Sequence, residues 1–144
     1  MTEDFKMIED FVLHERLAAD SVALADWPLC RVLLMNDASY PWLILVPRRP
    51  DLKEIHDLKS GERAQLTEEI CRASRALQFR FSPDKINVGA LGNLVPQLHV
   101  HVIARFRTDP AWPGPVWGAR PAVPYESGDL QERVELLTGG LAAR

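Results

Sequence analysis

The side chains best suited to chemistry in this chain stand in one run, Gln97-Leu98-His99-Val100-His101-Val102-Ile103. Read as a strand, the run turns Leu98, Val100, Val102 and Ala104 to one face and Gln97, His99, His101 and Ile103 to the other. Two imidazoles and an amide then line one surface. Neutral imidazole is a good nucleophile near pH 7, its ordinary pKa being about 6.5, and side chains two apart on a strand can act on one phosphate group. The pattern alone leaves three uses open: a solvated strand face, part of a metal site, or a site for phosphate chemistry. A metal needs a third ligand, and His14 and His56 lie far away in sequence, in a predicted helix and a loop.

Such a strand must be held by others. Residues 4–18 place Phe5, Ile8 and Val12 at helical spacing and predict an N-terminal helix. Ser21 to Trp27, ended by Pro28, predicts a first strand. Leu29 to Met35 and Trp42 to Pro47 follow as two apolar runs joined by the turn-prone Asn36-Asp37-Ala38-Ser39, which reads as an antiparallel hairpin with both faces covered. A helix over 61–80, capped by Ser60 and stopped before Pro83, carries Leu66, Ile70, Ala73 and Leu77 as its apolar stripe. Lys85 to Val88 opens another strand, Gly89-Ala90-Leu91-Gly92-Asn93 can turn sharply, and the strand from Gln97 to Phe106 comes next.

Beyond it, residues 108–124 hold five prolines and two glycines in 17 residues, which precludes regular structure, while Trp112 and Trp117 argue against disorder. A final helix over about 128–138 follows a Ser127 cap and is expected to stop at Gly139-Gly140. The order of elements predicts an α+β fold: an antiparallel sheet of about five strands, one long helix, and N- and C-terminal helices. The expected organisation is a single domain over 1–144 with an irregular Pro/Trp-rich segment at about 107–124.

Composition narrows the partners. The chain has 144 residues, 47% hydrophobic and 26% charged, with a formal net charge of −3 and no basic block beyond Arg48-Arg49. A general electrostatic grip on nucleic acid or an anionic membrane is therefore not expected, and any phosphate must be held locally. The start, MTEDFKMIED, lacks the apolar run of a signal peptide, and no stretch reaches membrane-spanning length, so the cytoplasm is the expected compartment. Cys30 and Cys71 have no Cys-x-x-Cys spacing and are expected to be reduced, buried thiols.

QLHVHVIAR resembles the signature strand of the histidine triad family, in which three histidines alternate with apolar residues and an Arg often follows; Arg105 fills that last place. Asn87-x-Gly89 and Gly92-Asn93 resemble the family's Asn-x-Gly and Gly-Gln elements, and LILVPRR its Leu-Val-Ile-Pro-Lys strand. The likeness runs from about Ser21 to Phe106. It implies an α+β unit that pairs as a homodimer, binds a small-molecule nucleotide, and hydrolyses or transfers nucleotidyl groups from dinucleoside polyphosphates or nucleoside phosphoramidates. It makes His99 the nucleophile that becomes transiently nucleotidylated and His101 the donor to a phosphate oxygen, with the backbone at Gly92 and Asn93 cradling phosphates and Asn87 near ribose or phosphate. Arg105 and Arg107 can neutralise phosphate or simply be solvated at the surface, and Asp37 falls where the family often places a ribose-contacting acid or amide. The chemistry requires no cofactor, although a divalent cation can accompany the nucleotide.

Three departures mark this chain. Gln97 replaces the first histidine of the triad and can orient a ring but not carry a proton. Leu94 replaces a phosphate-reaching hydroxyl, and Trp42 stands where the family has an upstream histidine. Gln97 together with Trp112-Pro113-Gly114-Pro115-Val116-Trp117-Gly118 resembles a bacterial subgroup labelled dinucleoside tetraphosphate hydrolase-like. Trp112 or Trp117 can stack on a purine or simply cover the sheet. The departures leave two readings, a nucleotidyl hydrolase or transferase and a nucleotide-binding or sensing module with little chemistry; a metal-binding protein is a third.

Overall fold

The computed structural model describes residues 10–143. Its elements are α1 (Glu15–Asp20), β1 (Ser21–Asp26), β2 (Cys30–Met35), β3 (Trp42–Pro47), a 3-10 turn at Ile55–Asp57, α2 (Ser60–Phe81), β4 (Lys85–Gly89), β5 (Val100–Arg105) and α3 (Ser127–Ala143). The five strands make one antiparallel sheet in the order β1-β2-β3-β5-β4, an α+β architecture as the element order predicts.

Strands β3 and β5 are buried along their whole length, which is why neither alternates apolar with polar residues. One face of the sheet, with Leu34, Leu43, Val100 and Val102, packs against Leu66, Ala73 and Leu77 of α2 and Leu137 of α3. The other face, with Leu33, Trp42, Ile44 and Ile103, is covered by Leu17 of α1 and by Tyr40, Val95 and Val116. Helix α2 is also tied to the first hairpin by a buried carboxylate. Glu69 accepts the backbone N–H groups of Leu29 at 2.9 Å and Cys30 at 2.8 Å, and the Gln65 amide at 2.7 Å.

Several boundaries differ from the sequence expectation. Lys59, not Ser60, precedes the first turn of α2, and its N–H donates to Glu62 at 2.9 Å; the helix ends where Ser82 takes a left-handed φ of 47° before Pro83. Helix α3 continues past 138 to Ala143, because glycine weakens a helix by about 1 kcal/mol but does not end it without a left-handed turn. Of the helix expected over 4–18, residues 4–9 lie outside the described residues and 11–14 are not helical. The physical reason is Gln97, whose Nε2 donates to the Val12 carbonyl at 2.9 Å and whose Oε1 accepts the His14 N–H at 2.8 Å. Those backbone groups are thus paired outside any helix, and the His14 ring, accepting the Arg16 N–H at 3.0 Å, caps the short α1 instead.

Residues 107–124 form no helix or strand. Asp109 holds their start, accepting Arg105 Nε at 2.8 Å and Nη2 at 3.0 Å together with the N–H groups of Phe106, Ala111 and Trp112. Cys30 is buried, whereas Cys71 is half-buried, less enclosed than expected, and both are free. Among the described residues, no helix is long and apolar enough to cross a membrane.

Candidate active site

On the sheet face away from α2 and α3, β3 and β5 place Ile44 opposite His101 and Trp42 opposite Ile103. His99 sits just before β5, which begins at Val100 rather than at Gln97. Its ring and that of His101 meet edge to face, centroids 4.9 Å apart at 72°. Both are nearly buried and line a cleft of about 440 Å³ whose walls include Asp37, Met35, Trp42, Gly92, Asn93 and Trp117. That volume suits a small-molecule ligand held in a mostly apolar wall with a few fixed polar groups.

The partners of the two rings assign their protons. His99 Nδ1 lies 2.7 Å from the backbone carbonyl of Gln97. A carbonyl only accepts, so Nδ1 carries the hydrogen and Nε2 keeps a lone pair. His101 is the reverse. The Trp42 indole N–H donates to its Nδ1 at 3.0 Å, so the neutral ring carries its proton on Nε2. Burial, reinforced by the positive charge His99 can carry, lowers the His101 pKa to about 4, which keeps that ring neutral at pH 7. One imidazole thus offers a nucleophilic nitrogen and its neighbour an N–H donor.

The remaining expected site residues divide. Asp37 is buried at the cleft wall, with one carboxylate oxygen accepting the Ser39 N–H at 3.0 Å. Gly92, with a left-handed φ of 69°, and Asn93 form part of the wall. Trp117 lines it too, its ring centroid 5.4 Å from that of His101. Gly89 admits that indole, since a Cβ there would come within 2.9 Å of Trp117 Cη2.

Four residues expected at the site are engaged elsewhere. The Gln97 side chain binds the 12–14 backbone and does not line the cleft with the histidines; only its carbonyl touches His99. Asn87 and Arg105 bond each other, Nη1 to Oδ1 at 2.7 Å, and the rest of that guanidinium is enclosed by Asp109. Trp112 lies against Arg105, 5.7 Å from its guanidinium carbon to the ring centroid, and is absent from the cleft wall. These groups have been taken by buried pairing, which low-polarity surroundings make costly to break. Arg48 and Arg49 are likewise occupied, the first by the Trp27 carbonyl and the second by Glu62 at 2.8 Å.

Sequence reasoning missed Arg16, Asp20 and Arg120 as cleft residues, which come from α1 and the irregular segment and have no local signal. It also missed the Trp42 hydrogen bond to His101. The antiparallel register, which sets Trp42 opposite Ile103, carries that signal once β3 and β5 are known to be neighbours. Among the described residues, no three His, Cys, Asp or Glu side chains gather to hold a metal ion.

Fold and site together give an α+β unit with two buried histidines of opposite tautomer at a ligand-sized cleft. The chain belongs to the histidine triad (HIT) domain family, whose model matches residues 16–108. Members are generally nucleotide-binding hydrolases or transferases. The chain is similar to a histidine triad protein of known structure from Bradyrhizobium japonicum, at 50% identity and TM-score 0.88, over 91% of this chain and 98% of that one. A histidine triad protein from Marinobacter aquaeolei VT8 is 48% identical at TM-score 0.89, covering 92% of this chain and 97% of that one. One from Sinorhizobium meliloti 1021 is 44% identical at TM-score 0.89, covering 92% and 98%. Comparison with curated proteins gives no match.

Proposed function

We propose that this protein is a nucleotidyl hydrolase or transferase acting on dinucleoside polyphosphates or nucleoside phosphoramidates, of the dinucleoside tetraphosphate hydrolase-like subgroup. The observation that carries the reading is the Nδ1–H of His99 on the Gln97 carbonyl, which leaves Nε2 free to attack. With the nucleoside in the cleft, that lone pair forms a bond to the α-phosphorus while the bond to the leaving group breaks, its electron pair departing with that group. The Nδ1–H bond supports the positive charge that develops on the ring, and His101 Nε2–H donates to a non-bridging oxygen. Water then adds to phosphorus, the P–N bond breaks, the pair returns to His99, and a proton leaves to solvent with the nucleoside monophosphate.

Nothing in this scheme requires a cofactor. Cytoplasmic action as a homodimer fits it; β4 is an edge strand with Val88 half exposed, a place where a second copy can add. The binding-module reading is favoured by one observation, the engagement of Gln97 with the 12–14 backbone, which leaves no side chain in the first triad position beside His99.

Incubation with diadenosine tetraphosphate and with adenosine phosphoramidate, wild type against His99→Ala, tests the proposal. Release of AMP, an adenylylated peptide containing His99, and a loss on the order of a thousandfold or more in the variant are expected. Undiminished turnover by His99→Ala overturns the mechanism, and nucleotide binding without turnover by the wild type establishes the module reading.

A further inference from the structure

Helix α1 supplies Arg16, Leu17 and Asp20 to the wall of the histidine cleft. It has six residues, of which Leu17 is the buried one, and a helix that short does not hold together in water without outside tethers. At its C-terminal end the chain itself is the tether, running into β1 where Ser21 pairs with Met35. At its N-terminal end the tether is a side chain. Gln97 donates from Nε2 to the Val12 carbonyl at 2.9 Å and accepts the His14 N–H on Oε1 at 2.8 Å, and the His14 ring in turn accepts the Arg16 N–H at 3.0 Å. Phe11 and Leu13 of the same stretch pack against the apolar cluster of that sheet face.

We propose that Gln97 is a positioning residue for the bound nucleotide: through the 12–14 backbone it docks α1 as one wall of the cleft and so brings Arg16 to the ligand. The proposal rests on nucleotide binding in the cleft and adds to it a residue whose side chain lies outside that cleft. An amide suits the task because it carries a donor and an acceptor side by side, one for each of the two backbone groups. The task is separate from the support of His99. That ring is held by the Gln97 carbonyl, a backbone atom that every substitution at 97 keeps.

The effect on the ligand follows from populations. A cleft whose wall is docked for a fraction of the time binds with that fraction of its full affinity. Arg16 is the cation that α1 brings to the wall, and its Nε pairs with Asp20 Oδ2 at 3.2 Å between two exposed side chains. Solvent makes such a pair weak enough to give way to a bound anion.

Calorimetry of AMP on the full chain tests this with four variants. Gln97→Met keeps the length and loses both hydrogen bonds, Gln97→Glu keeps the acceptor and loses the donor, and Arg16→Ala and Gln97→Met/Arg16→Ala complete a cycle. AMP affinity should fall about tenfold in Gln97→Met and less in Gln97→Glu. It should fall about threefold in Arg16→Ala, and in the double variant hardly below Gln97→Met, since an undocked Arg16 has little left to contribute. With diadenosine tetraphosphate as substrate, KM should rise by more than kcat falls. Exchange of the α1 amide hydrogens should quicken in Gln97→Met while that of β5 keeps its rate, which tells an undocked wall from a failing fold. Unchanged AMP affinity in Gln97→Met means that Phe11, Leu13 and Leu17 hold the wall by packing, and losses that multiply in the double variant mean that the two residues act separately; either result overturns the proposal. A fall in kcat with AMP affinity intact overturns it in favour of Gln97 acting on His99. The expected losses in a protein without turnover overturn only the catalytic reading, and a wild type that takes no AMP overturns the nucleotide reading and the proposal with it.

Discussion

His99 and His101 are the same residue type two positions apart, and they differ by what each Nδ1 touches. A carbonyl leaves one ring with a lone pair on Nε2, and an indole N–H leaves the other with a hydrogen there. Trp42 therefore does for His101 what a proton acceptor cannot, fixing the tautomer that points a hydrogen from Nε2. Trp42→Phe keeps the ring packing and deletes that bond. We expect kcat to fall about fivefold, from the order of 1 kcal/mol that such a hydrogen bond contributes, with a smaller change in KM. Nitrogen chemical shifts of the His101 imidazole should move toward mixed tautomers in the variant; unchanged shifts together with unchanged kcat would refute the role. This pair was half legible in the sequence. The period of two put His99 and His101 on one surface, but Gln97 left that surface because the strand starts only at Val100 and its amide found the 12–14 backbone. The resemblance makes Asn87 a phosphate contact and Arg105 a candidate one, and motif matching does not reveal that they bond each other diagonally between β4 and β5, Asn87 standing opposite Ile103 and Arg105 opposite Lys85.

At the scale of elements, the sheet and α2 were readable because their signals are local: apolar runs of strand length, and a stripe at 3.6-residue spacing ended by a proline. What joins them was not. Glu69 looks in sequence like an ordinary surface carboxylate on a helix, yet it is 2% exposed and closes the two N–H groups at the start of β2. Glu69→Leu fits the apolar surroundings but leaves Leu29 and Cys30 N–H buried without acceptors. At about 1–3 kcal/mol for an unsatisfied buried donor, a loss of roughly 2–5 kcal/mol is expected in denaturant melts. Glu69→Gln, which retains one carbonyl acceptor, should lose less. Equal stability of the Leu variant and wild type would mean that these N–H groups find water, and that α2 is held by its apolar face alone.

At the scale of the whole molecule, the irregular segment is part of the cleft wall only because something ties it to the sheet, and Asp109 is that tie. Its carboxylate takes both a two-pronged bond from Arg105 and three backbone N–H groups, while Arg105 reaches on to Asn87 in β4. Burial alone would raise the Asp109 pKa; the Arg105 bonds and the backbone donors outweigh it and bring it to about 2. The folded state therefore binds its proton less readily than the unfolded chain, whose carboxyl titrates near 3.8. The stability this gives is present above pH 3.8, shrinks as pH falls, and is gone below about 2, a contribution of roughly 2 kcal/mol. Asp109→Asn preserves shape but strands the Arg105 charge, so a loss of about 3–5 kcal/mol is expected at pH 7. The variant should also lose the part of the acid slope that Asp109 supplies. Because Val116, Trp117 and Gly118 in the cleft wall follow Asp109 in the same segment, nucleotide affinity should fall along with stability. A variant that melts early but binds nucleotide normally would show that the wall is held by Val116 and Trp117 packing on the sheet, with Arg105 and Asp109 serving the fold alone.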